Sequence, residues 1–82
     1  MKIAVIGQGY VGLPLAIEFG KKYPTLGFDI NETRVNELRK GKDYTNEASA
    51  EQLRSSTHLT FSANINNIRE CNVYIVTVPT PI

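Results

Sequence analysis

A glycine-rich turn after the first apolar run is the segment of this sequence that most clearly predicts chemistry. Residues 7–12 read G-Q-G-Y-V-G, directly after one predicted strand and at the start of a predicted helix. Gly7 allows a tight turn, Gly9 lets the backbone approach a pyrophosphate, and Gly12 lets the helix lie close to the strand. The phosphates would lie on unpaired N–H groups at the helix start, where the helix dipole favours negative charge. The turn therefore predicts a dinucleotide site with contacts from Gly7, Gln8, Gly9, Tyr10, Val11 and Gly12.

An acidic residue stands at the spacing that such a site requires. Asp29 lies twenty residues past Gly9, at the end of the second apolar run. A carboxylate there accepts hydrogen bonds from the hydroxyls of an adenosine ribose, and it would repel the additional phosphate of NADP. We therefore predict NAD rather than NADP. Arg34, one turn into the next helix, offers a cation near the same ribose, but we rank it below Asp29 because a strand-end carboxylate is fixed and a long arginine is not. In the alternative interpretation the turn holds no ligand and Asp29 only caps the next helix.

The composition limits the classes of protein that these 82 residues can form. Nine Lys and Arg against eight Asp and Glu give a net charge of +1, which excludes a strongly basic nucleic-acid binder and an acidic disordered tail. The single cysteine, Cys71, excludes an internal disulfide. The first apolar run is too short for a membrane span or a signal-peptide core. We therefore expect a cytoplasmic domain with no nucleic-acid or membrane partner.

Strand and helix patterns alternate along the chain. Asn31 and Ser49 are good N-caps, and Gly41 is a typical helix stop. The predicted strands are Lys2–Ile6, Leu26–Ile30, Leu59–Phe61 and Val73–Val78, and the predicted helices begin near Val11, Asn31, Ser49 and Asn64. This alternation predicts an α/β fold, the N-terminal half of a Rossmann-type doubly wound parallel sheet (βαβα…) with about four strands. We expect residues 1–82 to be the N-terminal part of a dinucleotide-binding domain whose remainder lies outside this sequence.

Two motifs at the two ends of the sequence resemble one known family. G-Q-G-Y-V-G-L-P at 7–14 and V-P-T-P at 78–81 are similar to the N-terminus of the UDP-glucose/GDP-mannose dehydrogenase family. L-P-L-A at 13–16 and G-F-D-I-N at 27–31 look more like one branch, the UDP-N-acetylhexosamine 6-dehydrogenases of surface-polysaccharide (Vi-antigen type) biosynthesis. The likeness runs through essentially the whole chain.

The resemblance implies an enzyme that oxidises the C6 alcohol of a UDP-N-acetylhexosamine, or of UDP-glucose, to a uronic acid with two NAD. Tyr10 and Val11 would then lie along the cofactor, and Arg34 would help Asp29 at the ribose. The loop after the last strand would add Val78, Pro79 and Thr80. The family's catalytic cysteine, catalytic lysine and sugar-binding domain lie in downstream segments. The chain by itself would therefore bind NAD without turning over a UDP-sugar, and the parent enzyme would be a homo-oligomer.

Other residues that could attract a catalytic interpretation have simpler explanations. Cys71 is predicted to be a small buried apolar residue rather than a nucleophile, and His58 a solvated loop residue rather than a metal ligand. Tyr74 is predicted to pack in a core strand. Two other classes share the glycine turn and Asp29, namely a non-enzymatic NAD-binding regulatory module and a Rossmann dehydrogenase of the 6-phosphogluconate or hydroxyacid type. Only the resemblance at 78–81 argues against the last of these.

Overall fold

The computed structural model describes residues 1–9, 11–43 and 49–77, and these build a four-stranded parallel sheet with helices on its two faces. The strands are Ile3–Ile6 (β1), Thr25–Phe28 (β2), Leu59–Ser62 (β3) and Val73–Val76 (β4). The helices are Gly12–Gly20 (α1), Glu32–Arg39 (α2), Ala50–Ser55 (α3) and a 3₁₀ helix at Ile65–Glu70.

The strand order β3-β2-β1-β4 is that of the first half of a doubly wound sheet. The chain runs outward from β1 through β2 to β3 and then crosses back to pair β4 with the other side of β1. The predicted α/β Rossmann-type architecture is therefore confirmed. The reversal of strand order next to β1 creates a crevice at the carboxyl ends of the strands, which is where ligands bind in such sheets.

The core lies on both faces of the central strands because successive side chains of β1 point in opposite directions. Ile3 and Val5 pack with Ala16 of α1, whereas Ala4 packs on the other face with Cys71. A third apolar cluster joins α1 to α2 and α3 through Leu13, Ile17, Leu38 and Leu53. The sheet is thus sandwiched, and its central strands are held rigidly.

The helix ends follow the predicted capping residues closely. The side chain of Asn31 accepts a hydrogen bond from the N–H of Arg34, and Ser49 forms a capping box with Gln52. Gly41 follows α2 with a φ of 77°, in the left-handed region that favours glycine. The short helix predicted after Asn64 is a 3₁₀ helix rather than an α-helix.

The last strand departs from the prediction of a core strand. Val73, Tyr74 and Val76 are exposed, and the Tyr74 ring is 49% accessible while its hydroxyl donates to the carbonyl of Ile68. The prediction that Tyr74 packs in the core was therefore wrong. Its apolar sequence is that of a strand buried on both faces, but β4 is an edge of this sheet, and three of its four residues are exposed.

Within the described ranges, no helix has the length and apolarity that crossing a membrane requires.

Candidate dinucleotide site

The glycine turn leaves β1 at the carboxyl edge of the sheet, between the ends of β2 and β4. The N–H of Gly7 donates to Phe28 O at 2.7 Å, and the N–H of Thr77 donates to Ile6 O at 2.8 Å. Gly7 has a φ of 98°, a conformation that other residues rarely adopt. The turn therefore begins on a backbone that both neighbouring strands hold in place.

The other two glycines of the turn meet opposite surroundings. A Cβ at Gly12 would overlap the carbonyl oxygen of Gly7, so the start of α1 lies against the turn as closely as backbone atoms allow. Apart from the two chain neighbours of Gly9, no described residue has an atom within 4 Å of a Cβ at this position. Gly12 is therefore needed for packing within the protein, whereas the space over Gly9 is open to a ligand.

The start of α1 has no side-chain cap among the described residues. The first backbone hydrogen bond of this helix joins the N–H of Leu13 to Gly9 O at 3.2 Å. The N–H groups that precede Leu13 are the ones that a helix start presents to an anion. Val11, the N-cap residue, is 51% exposed and borders the same opening.

The carboxylate of Asp29 lies directly after β2 and is held against the turn. Its Oδ2 accepts the N–H of Gln8 at 2.9 Å, and its Oδ1 accepts the N–H of Asn31 at 2.9 Å. Asn31, and not Asp29, caps α2. Because a carboxylate offers about four acceptor sites, each oxygen can accept a further hydrogen bond, as a ribose diol requires.

The side chain of Gln8 points into the sheet and is fully buried, a placement that the motif does not reveal. Its Nε2 donates to Val5 O at 2.8 Å and to Gly7 O at 3.0 Å, while its Oε1 has no partner among the described residues. The space for this amide exists because residue 27 of β2 is glycine, where a Cβ would lie 2.7 Å from the Gln8 Oε1. Gln8 therefore supports the turn from below.

Arg34 is buried beneath the turn, which overturns the expectation that its long side chain is not fixed. Its Nε donates to Gln8 O at 2.9 Å, and a terminal nitrogen lies 2.6 Å from Asp43 Oδ1. Its guanidinium is 3.9 Å from Glu37. Asp43 could not be predicted from the sequence, because nothing in a lone loop aspartate nine residues away indicates an ion pair.

Thr77 is a second residue at the turn whose role the sequence does not indicate. Its hydroxyl donates to Ile6 O at 2.9 Å and to Gly7 O at 3.0 Å, so it ties the end of β4 to the glycine turn. A threonine two residues before a proline at a strand end carries no signal that distinguishes it from an ordinary strand residue.

Cys71 lies just before β4, near the amino ends of the strands, whereas the glycine turn lies at their carboxyl ends. Burial raises the pKa of its thiol above the ordinary value, a nearby Lys2 lowers that pKa, and Glu70 raises it further. A raised pKa keeps the thiol protonated and unreactive near neutral pH. The prediction that Cys71 is a buried apolar residue is confirmed.

The other residues considered as ligands or cofactor contacts are either exposed or outside the described ranges. His58 is exposed, and the described part of the chain holds no group of His, Cys, Asp and Glu that could hold a metal ion. The predicted contacts that lie outside the described residues are Tyr10, Val78, Pro79 and Thr80.

Known proteins are similar to this chain over its whole length. The curated relatives include the UDP-N-acetyl-D-glucosamine 6-dehydrogenases of Pseudomonas aeruginosa, at 56% identity, and of Salmonella typhi, at 55% identity, each over 82 residues. Both alignments cover 100% of this chain and 19% of the relative, so the chain spans about a fifth of the length of these proteins.

Two solved structures of dehydrogenases have a fold similar to that of this chain. The UDP-D-ManNAc dehydrogenase of Pyrococcus horikoshii is 30% identical with a TM-score of 0.80, covering 100% of this chain and 21% of that one. GDP-mannose dehydrogenase of Pseudomonas aeruginosa is 21% identical with a TM-score of 0.84, covering 99% and 20%, and this likeness concerns the fold alone. The family model for the UDP-glucose/GDP-mannose dehydrogenase family, NAD binding domain, matches residues 1–82. The chain therefore belongs to the UDP-glucose/GDP-mannose dehydrogenase family, as its NAD-binding domain.

Proposed function

We propose that this chain is the NAD-binding portion of a nucleotide-sugar 6-dehydrogenase. The parent enzyme oxidises the C6 alcohol of a UDP-N-acetylhexosamine, or of UDP-glucose, to the uronic acid with two NAD. Identities of 55–56% with two UDP-N-acetyl-D-glucosamine 6-dehydrogenases support this substrate class. The proposal includes a cytoplasmic homo-oligomer that serves surface-polysaccharide biosynthesis, and a sugar-binding part outside residues 1–82.

Two neighbouring features support the proposal most strongly, namely the open space at Gly9 and the fixed carboxylate of Asp29. Beyond its chain neighbours, no described residue has an atom within 4 Å of a Cβ built on Gly9, and the Asp29 carboxylate accepts a hydrogen bond from the neighbouring N–H of Gln8. A pyrophosphate fits the first feature and a ribose diol fits the second. The two features adjoin each other at the carboxyl edge of the sheet, where the pyrophosphate and the neighbouring adenosine ribose of one dinucleotide would reach them.

Each predicted contact has a part in this proposal. Gly9, Val11 and Gly12 line the start of α1, where the pyrophosphate would bind, and Gly7 sets the turn. Asp29 would accept the ribose hydroxyls, with Arg34 beneath it, and Gln8 would position the turn. Tyr10, Val78, Pro79 and Thr80 stay proposed contacts of the cofactor.

NAD, when bound, supplies a hydride acceptor for the alcohol carbon. The residues of this chain bind and orient that acceptor, because the site consists of backbone N–H groups at the helix start and of the Asp29 carboxylate, which two N–H groups hold in place. We therefore expect residues 1–82 to bind NAD without oxidising a UDP-sugar. Turnover of a UDP-sugar by residues 1–82 alone would contradict this part of the proposal.

Titration of the 82-residue chain with NAD by isothermal calorimetry tests the site. The substitution Asp29→Ala removes the acceptor of both ribose hydroxyls, and hydrogen bonds to a charged group contribute about 1.5–3 kcal/mol. We therefore expect Asp29→Ala to weaken NAD binding by about tenfold to a hundredfold. An Asp29→Ala chain that binds NAD as tightly as the parent would show that the ribose lies elsewhere.

A matched control separates this effect from a general loss of negative charge. Glu18→Ala removes an exposed carboxylate on α1, where Glu18 pairs with Lys21 at the end of the helix remote from the turn. The control is expected to bind NAD as the parent does. Circular dichroism of each variant shows whether the fold is intact before its affinity is compared.

A further inference from the structure

A buried ion pair lies under the proposed ribose site. The Asp43 carboxylate is fully buried, and the Arg34 side chain is only 10% exposed. They are joined at 2.6 Å, and the Nε of the same guanidinium donates to Gln8 O. Because the N–H of Gln8 donates to Asp29, the ion pair and the ribose-binding carboxylate are linked through a single residue.

The position of this arginine would ordinarily favour NADP. In dinucleotide sites of this fold, an arginine near the second strand accommodates the 2′-phosphate of NADP. The guanidinium of Arg34 carries a full positive charge. The sequence contains Asp29, a carboxylate that disfavours the 2′-phosphate, and Arg34, a cation that favours it. In the structure the charge of Arg34 is compensated by Asp43.

We propose that Asp43 is a specificity-determining residue, which neutralises Arg34 and leaves Asp29 as the uncompensated charge at the ribose. Since the side chain of Asp43 is fully buried, solvent screens its effect on Arg34 only weakly. Asp43 also helps to fix the guanidinium, whose Nε donates to Gln8 O. The inference rests on the proposed NAD site and explains how that site distinguishes NAD from NADP.

The substitution Asp43→Asn tests the inference, because asparagine keeps the size and an acceptor oxygen but removes the charge. The dissociation constants of NAD and NADP are measured by calorimetry on the 82-residue chain, with competition against NAD where NADP binds weakly. We expect the ratio of the NADP constant to the NAD constant to fall about tenfold or more, as one compensating charge is removed. An unchanged ratio in a folded Asp43→Asn chain that binds NAD would overturn the inference.

Glu37→Gln is the matched control. Glu37 also faces the Arg34 guanidinium, but at 3.9 Å and with 23% of its side chain exposed, so solvent screens it more strongly. We expect the ratio of the NADP constant to the NAD constant in Glu37→Gln to stay within about threefold of the parent's ratio. A larger change for Glu37→Gln than for Asp43→Asn would also contradict the role given to Asp43.

Removing one member of a buried ion pair can unfold a small domain, so the double variant Arg34→Gln/Asp43→Asn provides a second test. It replaces two opposite charges by two amides, and the net charge beneath the ribose is unchanged. We expect the parent's preference for NAD in this variant, and a large shift toward NADP would overturn the inference. Should the parent itself fail to bind NAD, the proposed function falls and this inference falls with it.

Discussion

Gln8, the variable residue between the first two glycines of the turn, connects three elements of the fold. Its N–H donates to Asp29 after β2, and its carbonyl accepts from Arg34 in α2. Its side-chain amide donates to the carbonyls of Val5 and Gly7 at the end of β1. These hydrogen bonds hold Gly7 and Gln8 in place before any ligand arrives, which lowers the ordering cost that binding must offset.

Gly9 and Gly12 are expected to respond differently to the same methyl group. Gly9 lies outside the left-handed region and its Cβ would meet open space, so Gly9→Ala should leave the free energy of unfolding unchanged or raise it by about 0.4–1 kcal/mol. NAD binding should be lost or weakened at least tenfold, because the added methyl group occupies the approach of the pyrophosphate. Urea denaturation and NAD titration of the variant measure the two effects separately.

Gly12→Ala is the matched comparison for that prediction. Its Cβ would overlap the Gly7 carbonyl oxygen, and overpacking against backbone costs about 1–3 kcal/mol or more. We expect a clear loss of stability in urea. If Gly12→Ala were as stable as the parent, or if Gly9→Ala bound NAD normally, the separate structural and ligand roles of the two glycines would be wrong.

The residues that could be predicted from the sequence are those whose chemistry is local. The three glycines of the turn and Asp29 follow from a motif whose spacing encodes the geometry directly. The burial of Gln8 and the pairing of Arg34 with Asp43 depend on packing between segments that are distant in the chain. Gly27, in the middle of β2, was the available sign that a neighbouring side chain lies against that strand.

Among the secondary-structure elements, α2 does the most to place the site, because it follows Asp29 directly and carries Arg34. Its N-terminus depends on Asn31, whose Oδ1 accepts the N–H of Arg34 at 3.2 Å. Loss of an N-cap costs about 0.5–2 kcal/mol, so Asn31→Ala should lower the free energy of unfolding by about 1 kcal/mol. Urea denaturation followed by circular dichroism measures this change.

Asn31→Asp provides the control for the cap, since aspartate caps a helix about as well as asparagine. We expect the Asn31→Asp chain to keep the parent's stability within about 0.5 kcal/mol. Equal losses for the alanine and aspartate variants would show that the amide of Asn31 has a role other than capping.

The elements themselves were largely predictable, because each strand and helix has its own periodicity and its own caps. The prediction failed at β4, whose apolar residues are typical of a strand buried on both faces. Burial is not a property of the strand alone. It depends on which elements lie beside it, and β4 forms an edge of the described sheet with Val76 66% exposed.

For the chain as a whole, the open edge at β4 limits stability. Exposed apolar side chains on β4 contribute little burial, and domains near this size already bury only about 60% of their unfolded surface. We therefore expect the 82-residue chain without NAD to melt with a midpoint no higher than the usual mesophile range of roughly 45–65 °C. A midpoint well above that range would mean that the edge strand is stabilised by contacts that the sheet does not show.

NAD should raise this midpoint by mass action, because it binds the folded chain only. Ligand at a hundred times its dissociation constant adds about 2.7 kcal/mol, which for a domain of this size corresponds to about 10–20 °C. Gly9→Ala is the control, since its Cβ would meet no described residue beyond its chain neighbours, and without NAD this variant should melt at the parent's midpoint or slightly above it. Scanning calorimetry with and without saturating NAD makes the comparison. An equal rise in parent and Gly9→Ala would place the stabilising ligand away from the glycine turn, whereas a rise confined to the parent ties the stability of the domain to occupation of that turn.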